Sequence, residues 1–239
     1  MGDPESSPPA AGRPAGAAWA RRVRSALADE RSARVVFLSH CLLNENTRYP
    51  GGAFRPGAVL EVAEPYLRAG TGICQLPCPE QAAWGGVGKR HLVRFWGRPL
   101  LRPLAELALP AFLGWTRLRY RVLARRAAAQ VADFRAAGTE VTGIVGVGAS
   151  PSCGVATTVD LAATLGPVAG CPLRRLTRDG VNAAIAAAAR PGEGMFISEL
   201  RRALRRRGLD VPFQEHDLRS EWPGSTLAPG ARQVLPPAG

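Results

Sequence analysis

Three cysteines stand just beyond three predicted strands, where a thiol could bind a soft metal or act as a nucleophile. Cys41 follows the predicted strand 34–38, Cys78 follows the predicted strand 71–76, and Cys153 follows the predicted strand 140–147. Because ligands bind at the carboxyl ends of strands in an open parallel sheet, we expect the three loops to converge on one crevice. Proline or glycine marks each loop, which indicates a stiff turn rather than a core segment. Rigid, converging thiolates would suit a soft metal centre.

Two further cysteines bring the count to five, and an odd count without a secretion signal argues against a disulfide framework. Cys74, inside a predicted strand, is expected to be a core residue, and Cys171, before a proline in a loop, is expected to be a bystander. No Cys-x-x-Cys pair of the structural zinc type is present. Three thiolates without a fourth cysteine ligand favour a [4Fe-4S] cluster in which one iron is open, that is, without a protein ligand. The alternative for each cysteine is a small buried hydrophobe.

Strands alternate with segments of helical spacing, which predicts parallel pairing because a parallel neighbour is reached only through a crossover. The predicted helices are 58–68, 103–137 with a division near Pro110 or Gly114, 180–190 and 196–208, and a last strand is expected at 210–214. The predicted fold is a single Rossmann-like, three-layer α/β domain with a short, mainly parallel sheet.

The domain is expected to span 31–218, between two tails. Residues 1–30 form a Pro/Ala-rich tail with a helical stretch expected near 17–29, and 219–239 form a Pro/Gly-rich tail. Both are expected to be poorly ordered or loosely docked.

Composition excludes several classes of protein. Apolar residues make up 46% of the chain and charged residues 21%, which excludes wholesale disorder. No window holds about 20 uninterrupted apolar residues, so no membrane span is expected. Acids and prolines near the start replace the apolar run of a secretion signal, which predicts a cytoplasmic protein.

The formal net charge of +12 has two interpretations. Such a charge is typical of proteins that bind nucleic acid or anionic membranes. However, Lys89 is the only lysine, and the abundance of Arg, Ala, Gly and Pro is typical of a GC-rich genome. The densest basic run, 201–207, is expected on the solvated face of a helix whose apolar stripe is Phe196, Leu200 and Leu204. The alternative is a phosphate-binding patch on a nucleic-acid-binding module with a structural metal site. Aromatic residues at only 6% support this alternative little, and a zinc-bound structural protein is a third reading.

Three loop motifs together resemble the DUF523 family, which includes the thiouracil desulfurases. They are Cys41-Leu42-Leu43 with Arg48-Tyr49, then Cys78-Pro79-Glu80, then Ser150-Pro151-Ser152-Cys153-Gly154. The wider context, at 40–44, 75–80 and 213–218, is similar to the desulfurase-related branch of that family, so the resemblance covers 34–218. Asn44, Pro50 and the segment 84–90 depart from the common pattern, in loops expected to contact substrate.

The resemblance implies a non-redox desulfurase or desulfidase. Its cluster ligands would be Cys41, Cys78 and Cys153, holding a [4Fe-4S] cluster. The open iron would capture sulfur from a small thiolated molecule, such as a thiouracil-like base or a thioamide, and water would replace the sulfur. Glu80 would be the acid/base, assisted by Ser150 and then by Ser152. The alternatives are a helix N-terminal charge for Glu80 and a turn-forming hydroxyl for Ser150. The natural substrate and the oligomeric state are left open.

Overall fold

Seven strands and eight α-helices make up the described part of the chain, residues 15–92 and 102–234 of a computed structural model. The strands are β1 (Arg34–Leu38), β2 (Gly72–Gln75), β3 (Glu140–Gly148), β4 (Thr157–Val159), β5 (Ala189–Pro191), β6 (Phe213–Asp217) and β7 (Arg232–Val234). The helices are α1 (Ala15–Ala26), α2 (His40–Leu43), α3 (Leu60–Arg68), α4 (Pro79–Ala83), α5 (Arg102–Ala136), α6 (Leu161–Gly170), α7 (Arg178–Ala188) and α8 (Met195–Arg205).

The central sheet has the strand order β2-β1-β3-β6-β7. Its first four strands are parallel, and β7 joins the edge of β6 in the antiparallel direction. The short strands β4 and β5 form a separate antiparallel pair. All four parallel strands therefore end at the same edge of the sheet.

Helices α5 and α8 cover one face of the sheet. Phe37 of β1 packs edge-on against Phe134 of α5, with the ring centres 6.0 Å apart. The guanidinium of Arg201 on α8 lies 4.0 Å from the ring centre of Phe213 on β6. Phe37 and Phe213 both pair with Ile144 of β3, so their side chains lie on the same side of the sheet.

Helix α3 covers the opposite face. Gln214 follows Phe213 on β6 and points the other way, because side chains alternate along a strand. The hydroxyl of Tyr66 on α3 donates a hydrogen bond to Gln214 at 2.5 Å. Residues 35–38 of β1 are all buried, as expected for a parallel strand covered on both faces. The predicted single α/β domain with a mainly parallel sheet is confirmed.

The four predicted strands all exist, and the first has the predicted bounds. The last one begins three residues later than expected, at Phe213 rather than at residue 210. Pro212 explains the shift, because proline has no N–H to donate to the ladder. Its carbonyl instead accepts a hydrogen bond from the N–H of Ile144, just ahead of the strand.

Helix α5 is continuous over 35 residues, so the predicted division near Pro110 or Gly114 is wrong. Both residues are exposed. A carbonyl left without its partner by Pro110 can therefore bind water, which lowers the cost of a proline inside a helix. None of the helices in the described ranges combines the length and the apolarity that crossing a membrane requires.

The chain after residue 218 is joined to the domain in two places. Strand β7 pairs with β6, and the Glu221 side chain is fully buried in ion pairs. The packing thus extends past residue 218, the expected end of the domain. Strand pairing and buried ion pairs are long-range contacts, and the Pro/Gly-rich composition of this segment does not reveal them. At the other end, α1 overlaps the stretch 17–29 expected to be helical but begins two residues earlier and ends three residues earlier. Residues 1–14 and 235–239 of the two predicted tails lie outside the described residues.

Candidate functional site

The sheet places the three cysteine loops at one edge, because β2, β1 and β3 are adjacent and parallel. Cys41 lies in the first turn of α2, directly after β1. Cys78 is the N-cap of α4, and its sulfur accepts a hydrogen bond from the N–H of Gln81 at 3.4 Å. Cys153 lies in the loop between β3 and β4 and is buried. We call Cys41, Cys78 and Cys153 the cysteine site.

The three thiols lie within electrostatic range of one another. Burial, and then the charges of Glu80 and Cys41, raise the pKa of Cys78 to about 12. Burial, and then the charges of Cys41 and Cys78, raise the pKa of Cys153 well above its ordinary value. Burial also raises the pKa of Cys41, against the opposing effect of Arg48. The metal-free thiols are therefore protonated at neutral pH, and a metal ion must displace their protons to bind.

Three thiols are a donor set that suits a soft metal centre. In residues 15–92 and 102–234, no group of three or more His, Cys, Asp or Glu side chains is arranged to hold one metal ion. The thiolates of an iron–sulfur cluster bind separate irons, so their sulfur atoms stand farther apart than the ligands of a mononuclear site. Three thiols on three separate loops are compatible with that arrangement.

Glu215 of β6 holds the loop that carries Cys153. One carboxylate oxygen accepts hydrogen bonds from the backbone N–H groups of Val155, Ala156 and Thr157 at 2.8, 2.6 and 3.0 Å. The other oxygen accepts the Thr157 hydroxyl at 2.9 Å. Hydrogen bonds to an ionised acceptor are among the strong ones, so this loop is tightly positioned. The sequence patterns assigned no role to Glu215, although it stands on a strand that ends at the same edge.

The first turn of α8 holds the same loop from a second direction. The N–H groups of Phe196 and Ile197 donate to the carbonyl oxygen of Ser152 at 3.0 and 3.2 Å. Gly194, which caps α8, passes so close that a Cβ there would lie 2.5 Å from the carbonyl carbon and oxygen of Ser152. Only glycine allows this approach, and the loop of Cys153 is fixed between α8 and Glu215.

A hydrogen-bonded chain of polar side chains borders the cysteine site. The Lys89 ammonium lies 2.7 Å from one carboxylate oxygen of Glu80, and the Ser152 hydroxyl donates to the other at 2.8 Å. Ser152 also lies 3.7 Å from the sulfur of Cys153. Burial lowers the pKa of Lys89, but the charge and hydrogen bond of Glu80 outweigh it and leave the pKa raised. Lys89 therefore remains charged beside the thiols.

The two candidate serines have different contacts. The Ser150 oxygen accepts backbone hydrogen bonds from Cys153 at 3.1 Å and from Ser152 at 3.4 Å, so it shapes the turn. Ser152, buried and bonded to Glu80, is the serine that contacts the predicted acid/base. The two hydroxyls lie 3.2 Å apart, so Ser150 reaches Glu80 only through Ser152 and both serines stay candidates. A hydroxyl that caps its own turn cannot be told from one that faces a site by sequence position alone.

Two residues of this region were missed by the sequence patterns. Lys89 carries a signal in hindsight, because it is the one lysine of an arginine-rich chain. It also has a left-handed backbone with φ of 48°, a conformation that clusters at functional sites. Tyr120 of α5 is fully buried, and its hydroxyl has no hydrogen-bond partner among the described residues. Its helical spacing predicts only a core residue.

A second cluster at the same edge consists of paired charges, and we call it the arginine brace: Glu45, Arg48, Arg55, His216 and Glu221. Arg48 contacts both carboxylate oxygens of Glu221, at 2.5 and 3.0 Å, and lies 3.2 Å from Glu45. Arg55 and His216 also contact Glu221, at 2.8 and 2.6 Å. Burial raises the pKa of Glu221, but hydrogen bonds from His216 and Arg48 outweigh it and lower the pKa to about 2.

The two remaining cysteines, Cys74 and Cys171, lie outside the three loops that carry the cysteine site. Cys74 is half-buried in β2 and packs against the core, as expected for a core residue. Cys171 follows α6 as its C-cap, with its sulfur 3.7 Å from the carbonyl oxygen of Pro172. The ring of His40, beside Cys41, contacts the side-chain amide of Gln75.

The basic run on α8 is partly neutralised within the chain. The predicted apolar stripe is confirmed, with three buried residues: Phe196, Leu200 and Leu204. Arg201 contacts Glu193 at 2.6 Å, and Arg202 contacts Glu199 at 2.7 Å. Residues 205–207 are exposed. This surface is a solvated helix face with part of its charge already paired.

Comparisons with family models, curated proteins and solved structures gave no match for this chain. The family resemblance of the three loops therefore stays a prediction, and what the site can do follows from its own residues.

Proposed function

We propose that the protein is a desulfurase that removes sulfur from a small thiolated molecule by hydrolysis. An iron–sulfur cluster would be held by Cys41, Cys78 and Cys153, as the DUF523-like motifs imply. One observation carries the proposal: three thiols from three separate strand ends share one edge, and Glu80 lies within electrostatic range of all of them. Cysteines that only fill the core have no reason to share one edge with an ion-paired carboxylate.

A [4Fe-4S] cluster with three protein thiolates supplies one iron without a protein ligand, which can act as a Lewis acid toward a sulfur atom. The chain supplies the means to hold such a group. The N–H of Gln81 donates to the sulfur of Cys78, which favours its thiolate. Lys89 places a positive charge beside Cys41 and Cys78, which offsets the negative charge that three thiolates bring.

Glu80 is the residue placed to move protons. Its two carboxylate oxygens are oriented by Lys89 and Ser152, and the side chain remains slightly exposed, at 14%. A carboxylate so held can accept a proton from an attacking water and return it to a nitrogen of the substrate. General acid–base help of this kind contributes about 10²–10⁴-fold to a rate. Ser152 links Glu80 to the sulfur of Cys153 and keeps the two aligned.

The first experiment asks whether the cysteine site binds iron. Protein reconstituted without oxygen should contain iron and acid-labile sulfide and show the visible absorption of a cluster. Alanine variants of Cys41, Cys78 or Cys153 should lose both, whereas Cys74→Ala and Cys171→Ala, the matched controls, should retain them. Full iron content in any of the three site variants, or zinc without iron in the parent, would overturn the proposal.

The second experiment asks whether the loaded protein releases sulfide from thiolated bases and thioamides, with 2-thiouracil as one member of the panel. Glu80→Gln keeps the shape of the side chain and should lower the rate about 10²–10⁴-fold at unchanged iron content. Failure of 2-thiouracil alone narrows the substrate. Failure of every substrate with an intact cluster would reject the enzymatic activity.

A further inference from the structure

The Tyr120 hydroxyl is the exception among the three tyrosines of the chain. The hydroxyl of Tyr49 donates to Asn182 at 2.8 Å, and that of Tyr66 donates to Gln214 at 2.5 Å. Tyr120 is the most deeply buried of the three, yet its hydroxyl has no partner in the described residues. Five other buried side-chain atoms of the described residues share this property, in Ser39, Glu45, Arg48, His216 and Trp222. A buried hydroxyl without a hydrogen bond destabilises a fold unless a ligand or a water satisfies it.

The Tyr120 ring is clamped between two elements that build the cysteine site. Its ring centre lies 6.4 Å from that of Trp84, the C-cap of the short helix that begins after Cys78. On another side it lies 6.3 Å from Phe196, edge to face, in the first turn of α8. Trp84 is in turn held by Thr116, one turn earlier on α5, at 3.3 Å. The position of the ring is therefore fixed by the same helices that position the thiols.

The hydroxyl lies within electrostatic range of the cysteine site. Burial, and then the charges of Glu80, Cys153 and Cys78, raise the pKa of Tyr120 well above its ordinary value. These three groups come from the two loops that carry Cys78 and Cys153. At neutral pH it is protonated and can donate one hydrogen bond into the site.

We propose that Tyr120 is a substrate-contacting residue whose hydroxyl donates a hydrogen bond to the thiocarbonyl sulfur of the substrate. The inference rests on the proposed function and adds a selectivity to it. A thiocarbonyl sulfur accepts a hydrogen bond, whereas an S-methylated sulfur is a poor acceptor and leaves the hydroxyl unpaired. A site whose buried donor needs a hydrogen-bond acceptor binds an analogue without that acceptor less tightly. The chain keeps a destabilising group because the bound substrate satisfies it, a common cost of activity.

The first arm of the test measures stability in the metal-free protein and needs no activity. Tyr120→Phe removes only the unpartnered oxygen, so its urea midpoint should rise above that of the parent. Tyr66→Phe, the matched control, removes a bonded hydroxyl, so its midpoint should fall. A midpoint of Tyr120→Phe at or below that of the parent shows that the hydroxyl is already satisfied and overturns the inference.

The second arm measures binding to the reconstituted protein. Thioacetamide is titrated without oxygen and followed by the change in visible absorption, beside an S-methylated analogue. Tyr120→Phe should bind thioacetamide about tenfold more weakly at unchanged iron content, with little change for the analogue. Equal affinities in parent and variant reject the role of Tyr120 alone. A parent that takes up no cluster rejects the proposed function instead, so the two failures are distinguishable.

Discussion

The cysteine site and the arginine brace lie at the same edge of the sheet but are built from different polar groups. In the brace, Glu221 is buried between Arg48, Arg55 and His216, so positive and negative charges meet at short distances. The cysteine site holds three protonated thiols, and the hydroxyl beside them is unpartnered among the described residues. Three buried atoms of the brace, Glu45 Oε1, Arg48 Nε and His216 Nδ1, also lack a hydrogen-bond partner among the described residues. The two regions therefore differ in chemistry, ion pairs in one and thiols in the other, rather than in whether every polar atom is paired.

The brace has a structural consequence for its neighbour. Arg48 lies in the segment after β1, shortly beyond Cys41, and Glu221 lies in the turn after β6. Their contact ties the segment after β1 to the segment after β6. The resemblance motif that contains Arg48 and Tyr49 thus has a supporting role here, since Tyr49 also bonds to Asn182 of α7.

The largest effect is expected in the brace. Glu221→Gln leaves Arg48 buried without its main counter-charge, and removal of one partner of a buried pair costs about 3–5 kcal/mol of unfolding free energy. Urea unfolding measures the change. Glu64→Gln is the control, because its pair with Arg68 is exposed and should contribute less than about 1 kcal/mol. Similar losses in the two variants would mean that the brace is no stronger than a surface pair.

Acid should separate the two regions next. The pKa of Glu221 falls from an ordinary 4.5 to about 2 in the folded chain, so its ion pairs contribute full stability above pH 4.5. That contribution is lost progressively as the pH falls from 4.5 toward about 2. The parent should therefore lose more stability over this window than Glu221→Gln, which lacks the titrating carboxyl. Parallel pH curves for the two proteins would contradict the assignment.

A smaller effect on stability, but a direct one on iron, is expected at Gly194. Its φ of −66° suits any residue, so Gly194→Ala tests only the close approach to the backbone of Ser152 and Gly154. Forcing a methyl group into a packed contact costs about 1–3 kcal/mol and should displace the loop of Cys153. Iron uptake should fall with it. Gly57→Ala, where a Cβ meets nothing within 4 Å, is the control and should change neither quantity. Normal iron uptake by Gly194→Ala would show that the loop does not need this contact.

Local patterns were sufficient to predict the strands that carry the site. The apolar, β-branched run at 34–38 has few alternatives to a buried strand, and alternation with helices implied parallel pairing. The topology then placed the loops of Cys41, Cys78 and Cys153 at one edge before any distance was known. This part of the site depends on chain order, which a sequence displays directly.

Long-range contacts were beyond those patterns. Glu215 bonds to the backbone of residues that stand 58 to 60 positions earlier in the chain, and no local sequence period indicates such a contact. Tyr120 has the helical spacing of an ordinary core residue, and its unpaired hydroxyl is visible only in the folded structure. Pro110 predicted a break in the helix, but the helix continues through it because the proline lies at an exposed position. In each case the deciding quantity is the environment of a side chain in the folded protein.

The loop that carries Cys153 is secured by Glu215, and this has a bearing on maturation. During synthesis Cys41 and Cys78 leave the ribosome well before Glu215 does, and at that stage nothing from β6 can steady the third thiol. A cluster held as proposed would therefore have its third ligand loop fully positioned only after the chain has emerged that far. Premature oxidation of the early thiols would then be a hazard that a nascent chain has to survive.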